Sequence, residues 1–99
     1  MKLDNEFQPI RNWAVDKGIY RNSDVKTQYI KLLEEVGELS KAILENDDEE
    51  FVDAIGDCVV VLTNIASLGG VKIEDCINSA YDVITKRKGK MVNGAFVKE

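Results

Sequence analysis

The sequence contains no histidine, only two cysteines and a single proline in 99 residues. Without an imidazole, the chain has no Ser-His or Cys-His nucleophile and lacks the nitrogen ligand that zinc sites usually use. Catalysis would therefore depend on carboxylates, lysine, tyrosine or a metal-bound water. Cys58 and Cys76 stand apart in apolar stretches with no CxxC spacing, which predicts reduced core thiols and a cytoplasmic protein.

Basic residues are also scarce. Thirteen Lys and Arg against eighteen Asp and Glu give a formal net charge of -5, which argues against nucleic acid as a partner and favours metal cations. The first ten residues hold no apolar run of signal-peptide length, and 31% charged residues are too many for a membrane-embedded chain. We therefore expect one small soluble domain over residues 1–99, with no membrane partner.

The spacing of apolar residues predicts an all-α fold with four helices. Asp4 is placed to cap the first helix and Gly18 to end it, and residues 20–23 are predicted to be a connection. The second helix covers about residues 24–45. Its apolar residues recur at alternating steps of three and four, which predicts a stripe facing a core: Leu32, Val36, Leu39 and Ile43.

The third predicted helix is the most apolar part of the chain. It begins at Asp47, whose spacing from Glu50 is that of a capping box, and reaches Leu68. Residues 58–71 carry no charge, and their apolar side chains point in every direction, so this helix must be surrounded. A last amphipathic helix covers about residues 73–84.

The C-terminal tail, residues 90–99, has no helical period, and its Asn93-Gly94 dipeptide favours a turn between very short extended pieces. We expect a short extended C-terminal arm. Because so small a chain cannot cover a helix that is apolar on all sides, a second copy must supply the missing wall. The prediction is a four-helix bundle completed by homo-oligomerisation, as a homodimer or homotetramer.

Ten carboxylates and one lysine occupy residues 34–57. Two sets of three carboxylates each share one face of a helix, because positions three and four apart are neighbours: Glu34, Glu35 and Glu38 on the second helix, and Glu50, Asp53 and Asp57 on the third. Like charges so placed repel each other unless a cation lies between them. Carboxylates without imidazole or thiolate select hard ions, so magnesium is predicted, with manganese as its substitute.

The most specific pattern is EExxE at residues 34–38, then a short acidic loop, then DAIGD at residues 53–57 before a valine-rich run. This pattern resembles the MazG-type, all-α nucleoside triphosphate pyrophosphohydrolases over nearly the whole chain, and its phage members most of all. The resemblance implies magnesium-dependent hydrolysis of a nucleoside triphosphate to the monophosphate and pyrophosphate. A deoxyribonucleoside triphosphate (dNTP) is the substrate we expect. It also implies a dimer or tetramer and a role in nucleotide pool control.

The resemblance also assigns roles to the carboxylates. Glu35, Glu38 and Asp57 match the family's metal ligands, and Glu34 is an auxiliary carboxylate. The family commonly has Glu at the position that is Ala54 here; Asp53 is our first choice to replace it, and Glu50 is a further one. This departure leaves the number of metals open. Among the catalytic residues Glu34, Glu35 and Glu38, either Glu34 or Glu38 would orient or deprotonate the attacking water.

Four residues are predicted to bind the substrate. Trp13 is placed to stack on the base, although aromatic residues at helical spacing are more often core residues; Tyr29 and Tyr81 are the alternatives. Lys31 either reaches a phosphate or pairs with the nearby carboxylates. Lys86 and Arg87 either hold triphosphate oxygens or complement the negative end of the last helix, and Arg87 has the better geometry for phosphate.

Other functions fit the same residues. Phosphoribosyl-ATP pyrophosphohydrolases and dimeric dUTPases are related helical enzymes that differ in substrate. A non-catalytic acidic helical bundle that binds metal or a partner protein is a different class of protein, and Ala54 is the residue that favours it.

Overall fold

The structure, a computed structural model, describes residues 5–99. Five helices precede a β-hairpin: α1 (Gln8–Asp16), α2 (Ile19–Asn22), α3 (Val25–Glu45), α4 (Asp48–Leu68), α5 (Ile73–Ile84), β1 (Gly89–Val92) and β2 (Ala95–Lys98). The all-helical prediction is confirmed for the body of the chain, but the number of helices is five rather than four. The segment predicted as a connection is largely α2, because Gly18 lets the chain turn and begin a new helix at once.

Gly18 ends α1 in the left-handed region, with φ of 75°, as its position in the sequence predicted. Its amide donates to the carbonyl of Val15 at 3.0 Å. At the other end, α1 begins at Gln8 with Phe7 in the N-cap position and no side-chain cap. The predicted cap Asp4 lies outside the described residues.

The two long helices are both capped by aspartate. Asp24 precedes α3 and accepts from the backbone amide of Thr27 at 2.7 Å, which lowers the pKa of Asp24. Asp47 precedes α4 and accepts from the amide of Glu50 at 3.1 Å, so the predicted start of this helix is confirmed. Asn46, with φ of 54°, makes the turn between α3 and α4.

Helix α4 is the centre of the molecule. It packs along α3 as the main contact of the fold, and it also touches α1, α2 and α5. Small residues are buried at these crossings and let the helix backbones approach closely: Ala14, Ala42, Ala54, Val61 and Ala66. Among the helices in residues 5–99, α4 alone is long and apolar enough to cross a membrane. Its contacts with four other helices are those of the core helix of a globular domain.

A single copy of the chain leaves much apolar surface uncovered. Val36 and Ile43, predicted to face a core, are 44% and 54% exposed, because α4 is the one element among residues 5–99 that packs on α3. Cys58 is half-buried, but Cys76 is exposed, so the prediction of two core thiols is wrong for Cys76. Both cysteines are free.

The tail folds back on itself. β1 and β2 pair antiparallel with Gly89 opposite Lys98 and Val92 opposite Ala95. The Asn93-Gly94 dipeptide joins them with φ of 50° and 83°, the two positive values that a tight hairpin turn requires. Both strands are exposed along their whole length.

Candidate active site

A cavity of about 410 Å³, which we call the main cavity, is lined by residues of the first four helices. It brings together five residues that the sequence analysis singled out: Trp13 from α1, Lys31, Glu34 and Glu35 from α3, and Asp57 from α4. Trp13 also lines a smaller cavity of about 340 Å³ beside the first, together with Asp57 and Val60. The carboxylates Glu35 and Asp57 and the predicted base-stacking residue Trp13 therefore border one continuous region.

Asp57 is the electrostatic centre of the site. Partial burial raises its pKa first, and the negative charges of Asp53 and Glu35 raise the pKa further. The carboxyl groups of both residues lie close enough to that of Asp57 to raise its pKa. The packing of α3 against α4 thus places Glu35 opposite Asp57, while Asp53 lies one turn before Asp57 on α4.

The acidic face continues beyond the cavity toward the loop that joins α3 and α4. Glu50 has a raised pKa because of desolvation, then because of Asp53 and Glu38. Glu38 is therefore close to the α4 carboxylates, although it does not line the cavity. The five carboxylates form one patch, which we call the acidic cluster: Glu35, Glu38, Glu50, Asp53 and Asp57.

Lys31 lies at the edge of this cluster. Its Nζ is 3.3 Å from Oε2 of Glu34 and 3.4 Å from Oε1 of Glu35, and the hydrogen bonds to these two residues raise the pKa of Lys31. The ion-pair alternative for Lys31 is thus present in the structure. The ammonium also lines the cavity, where a phosphate group would be within its reach.

The acidic cluster fits a hard divalent cation by the chemistry of its donors, because all five are carboxylates and each raises the cost of charging its neighbours. Within residues 5–99, no three of these groups are already drawn together around one point. The cluster therefore supplies ligands of the right type, and it does not by itself fix how many ions bind.

Ala54 is completely buried, in the helix that packs along α3. A glutamate at this position would need room for a longer, charged side chain in a closely packed interface. The neighbouring Asp53 is exposed and lies near enough to Asp57 to raise its pKa. The departure from the family's usual motif thus leaves a carboxylate next to Asp57, supplied from the adjacent position.

The structure does not bring the basic C-terminal residues to this cavity. Lys86 and Arg87 follow the end of α5, and Arg87 lines a separate cavity of about 580 Å³ with residues of α5 such as Cys76 and Val83. Tyr29 is 54% exposed and, like Tyr81, is not among the residues lining the main cavity.

Sequence reasoning missed two amide side chains of the cavity, Gln28 and Asn64. Asn64 is 2% exposed and accepts a hydrogen bond from the hydroxyl of Tyr20 at 2.9 Å. One signal in the sequence pointed to it: Asn64 is a large polar residue in the middle of the uncharged stretch of residues 58–71, seven positions after Asp57. At about 100° per residue, seven positions return to the same helix face.

Comparisons with known proteins identify the family of the chain. The family model described as the MazG nucleotide pyrophosphohydrolase domain matches residues 24–92, which include the acidic cluster. The chain is 38% identical over 64 residues to an uncharacterized 18.2 kDa protein from the rep-hol intergenic region of Haemophilus phage HP1 (strain HP1c1). The match covers 65% of this chain but only 39% of the phage protein. No solved structure matches the chain significantly.

Proposed function

Because the chain belongs to the MazG nucleotide pyrophosphohydrolase family, we propose that it hydrolyses a nucleoside triphosphate to the monophosphate and pyrophosphate in a magnesium-dependent reaction. A deoxyribonucleotide is the first substrate to test, and nucleotide pool control in the cytoplasm is the role that this activity would serve. The observation that carries the proposal is the cavity bounded by Glu34, Glu35 and Asp57, with Trp13 on its wall.

The metal ligands in this proposal are the carboxylates of the acidic cluster. Glu35, Glu38, Asp53 and Asp57 would hold magnesium, with manganese as a substitute; the ion supplies charge neutralisation on the phosphate oxygens and a water of lowered pKa. Glu50 extends the same patch toward the loop and is the remaining candidate ligand. Desolvation raises the pKa of Asp57 and of Glu50 first, and repulsion by neighbouring carboxylates, which such an ion would relieve, raises both further.

The attacking water needs a proton acceptor. Glu34 lines the cavity, and its Oε2 is tied to Lys31 at 3.3 Å, so its carboxylate is held close to the reacting groups. We propose Glu34 as the group that orients the water and takes its proton, with Glu38 as the alternative on the same helix face. Glu35, the second residue of EExxE, contributes through its position beside Asp57.

The substrate is bound by different parts of the chain. Trp13 offers an aromatic face to the base, and its side chain is available because it is 47% exposed at the cavity. Lys31 offers its ammonium to a phosphate oxygen. Since Arg87 lines another cavity in its own chain, Lys86 and Arg87 would hold triphosphate oxygens only across an interface with another copy.

The decisive experiment is pyrophosphate release from a panel of ribo- and deoxyribonucleoside triphosphates, with magnesium and with a chelator. The panel includes dUTP and phosphoribosyl-ATP, the substrates of the related enzymes. Glu38→Gln is expected to abolish release, while Glu45→Gln, a matched change at the exposed end of α3, leaves it intact.

A folded wild-type chain that binds magnesium and releases pyrophosphate from no member of the panel would contradict this proposal. The non-catalytic acidic bundle would then be the better description, and the buried Ala54 would be its structural basis.

A further inference from the structure

Two carboxamide side chains line the main cavity, and each is tied to a hydroxyl group at α2. The hydroxyl of Tyr20, in α2, donates to Oδ1 of Asn64 at 2.9 Å. The Nε2 group of Gln28 donates to Oγ of Ser23, the residue that ends α2, at 3.1 Å. One short helix and its C-cap therefore hold both amides.

In each of these hydrogen bonds, the amide engages one of its two polar atoms and leaves the other free for a ligand. Because a carboxamide is planar, with a donor on one side and an acceptor on the other, engaging one atom determines what the other presents. With its oxygen engaged by Tyr20, Asn64 offers its Nδ2 donors, which have no partner within residues 5–99. With its nitrogen engaged by Ser23, Gln28 offers its Oε1 acceptor.

The two amides lie at matching levels of the α3–α4 pair. Gln28 is seven positions before Glu35 on α3, and Asn64 is seven positions after Asp57 on α4. Because the tight turn at residues 46–47 makes these helices antiparallel, both amides are displaced in the same direction from the carboxylates. Seven residues are two helical turns, or about 10 Å, which suits a nucleoside extending away from a phosphate group held at the carboxylates.

We propose that Asn64 and Gln28 read the hydrogen-bonding edge of the nucleobase, and that Tyr20 and Ser23 are positioning residues that set the polarity of this reading. The proposal rests on the proposed function and adds its substrate class: a base with a hydrogen-bond acceptor facing Asn64 and a donor facing Gln28. The buried amide of Asn64 and the half-buried amide of Gln28, each held in one orientation, reject an edge of reversed polarity, because one of their polar groups is then left unpaired.

Cytosine and uracil provide the test, since they share a ring size but reverse the donor and acceptor at adjacent edge positions. The wild-type enzyme is expected to differ at least about tenfold in kcat/KM between dCTP and dUTP, an effect within the range of one good base contact. Asn64→Asp keeps an oxygen for Tyr20 and replaces the free donor with an acceptor. We expect it to change the dCTP-to-dUTP ratio by at least about tenfold, mainly through KM.

Tyr20→Phe tests the same proposal without altering the cavity wall. The substitution frees the amide of Asn64 to rotate. The kcat/KM values for dCTP and dUTP are therefore expected to become similar, while magnesium-dependent release of pyrophosphate continues. The matched control is Asn12→Asp, at an exposed position outside the cavity, and it should keep the wild-type ratio. Folding of each variant is checked by circular dichroism and thermal unfolding.

Each outcome has a distinct meaning. Magnesium-dependent release with equal kcat/KM for dCTP and dUTP, or a ratio left unchanged by Asn64→Asp and Tyr20→Phe, overturns base reading by the amides and leaves the hydrolase proposal standing. Release from no triphosphate by the folded wild-type chain overturns the hydrolase proposal itself, and the base-reading inference falls with it.

Discussion

Arg11 and Glu74, separated by 63 positions in the chain, form a two-pronged ion pair that joins α1 to α5. Nη1 of Arg11 is 2.6 Å from Oε1 of Glu74, and Nη2 is 2.6 Å from Oε2. The two side chains are only 14% and 18% exposed. Because α1 carries Trp13 and α5 has few other contacts with the fold, this pair fastens the cavity wall to the C-terminal helix.

The first prediction is that Glu74→Gln destabilises the protein. Replacing the carboxylate removes a charge-assisted, parallel pair of hydrogen bonds, which we expect to lower the free energy of unfolding by about 1–3 kcal/mol at pH 7. Urea unfolding of the wild type and of Glu74→Gln measures this decrease in the free energy of unfolding. Glu45→Gln, at an exposed glutamate that forms no ion pair with any of residues 5–99, is the control, and equal stabilities of the two variants would show that the Arg11–Glu74 pair contributes nothing.

The same pair gives the stability a pH dependence. The hydrogen bonds to Arg11 lower the pKa of Glu74 from its ordinary 4.5 to about 2. A group with a lowered folded-state pKa stabilises the protein fully above its unfolded pKa, and this contribution is lost as the pH falls from about 5 toward 2. In that window the melting temperature of the wild type should fall more steeply than that of Glu74→Gln.

The second prediction concerns the metal-free acidic cluster. Burial and the charges of Asp53 and Glu35 raise the pKa of Asp57, so its carboxylate opposes folding at neutral pH. Asp57→Asn should therefore raise the metal-free free energy of unfolding by up to about 1 kcal/mol, and should also abolish the stabilisation that magnesium gives the wild type. Thermal unfolding with and without magnesium measures both effects, and Asp82→Asn on α5 should show neither.

A third prediction uses two glycines with similar backbone conformations. Gly18 has φ of 75° and Gly70 has φ of 81°, so alanine costs about 1–2 kcal/mol at either position. At Gly18 the added Cβ would also lie 2.9 Å from Nδ2 of Asn22, which donates to the Gly18 carbonyl, whereas Gly70 has nothing within 4 Å. Gly18→Ala should therefore be the more destabilising of the two in urea unfolding, and a reversed order would argue against this packing of α2.

The fourth prediction concerns self-association. A stripe of α4 opposite the acidic cluster is 36–42% exposed in a single chain: Phe51, Ile55, Val59 and Leu62. We propose that another copy covers this stripe, since exposed apolar patches of this kind mark interfaces. Ile55→Glu should shift the protein toward the monomer in sedimentation velocity. Val15→Glu, at an exposed residue of α1, should not, and a monomeric wild type would contradict the proposal.

Local chemistry made much of the fold predictable. The Asp47 cap, Gly18 and the Asn93-Gly94 turn each satisfy backbone requirements within a few residues, so the sequence alone indicates them. Helix α2 was missed because one helical turn is too short for a period to emerge. The exposure of Val36 and Ile43 was missed because a stripe predicts an apolar face, and periodicity does not say whether this chain or another copy covers it.

The candidate site likewise contains residues that local patterns predict and residues that they do not. Glu34, Glu35 and Asp57 were predictable because carboxylates three or four apart share a helix face, and two such faces on adjacent helices meet. The role of Tyr20 in holding Asn64 depends on how the chain turns at Gly18, a contact across 44 positions that no local pattern encodes. The placement of Arg87 in another cavity likewise follows from the direction of α5, which composition and charge do not determine.

Helix α4 carries carboxylates of the acidic cluster, whereas α2 carries Tyr20, which holds Asn64, and this separation has an evolutionary consequence. Substitutions in α4 face selection on the carboxylates, the packing and the exposed stripe together, so few of them are neutral. Helix α2 has four residues and, within the described part of the chain, packs on α1 and α4 alone. Its Tyr20 reaches the cavity through one hydrogen bond to Asn64. A lineage could therefore acquire a new nucleotide preference by changing α2 while inheriting its hydrolytic residues unaltered.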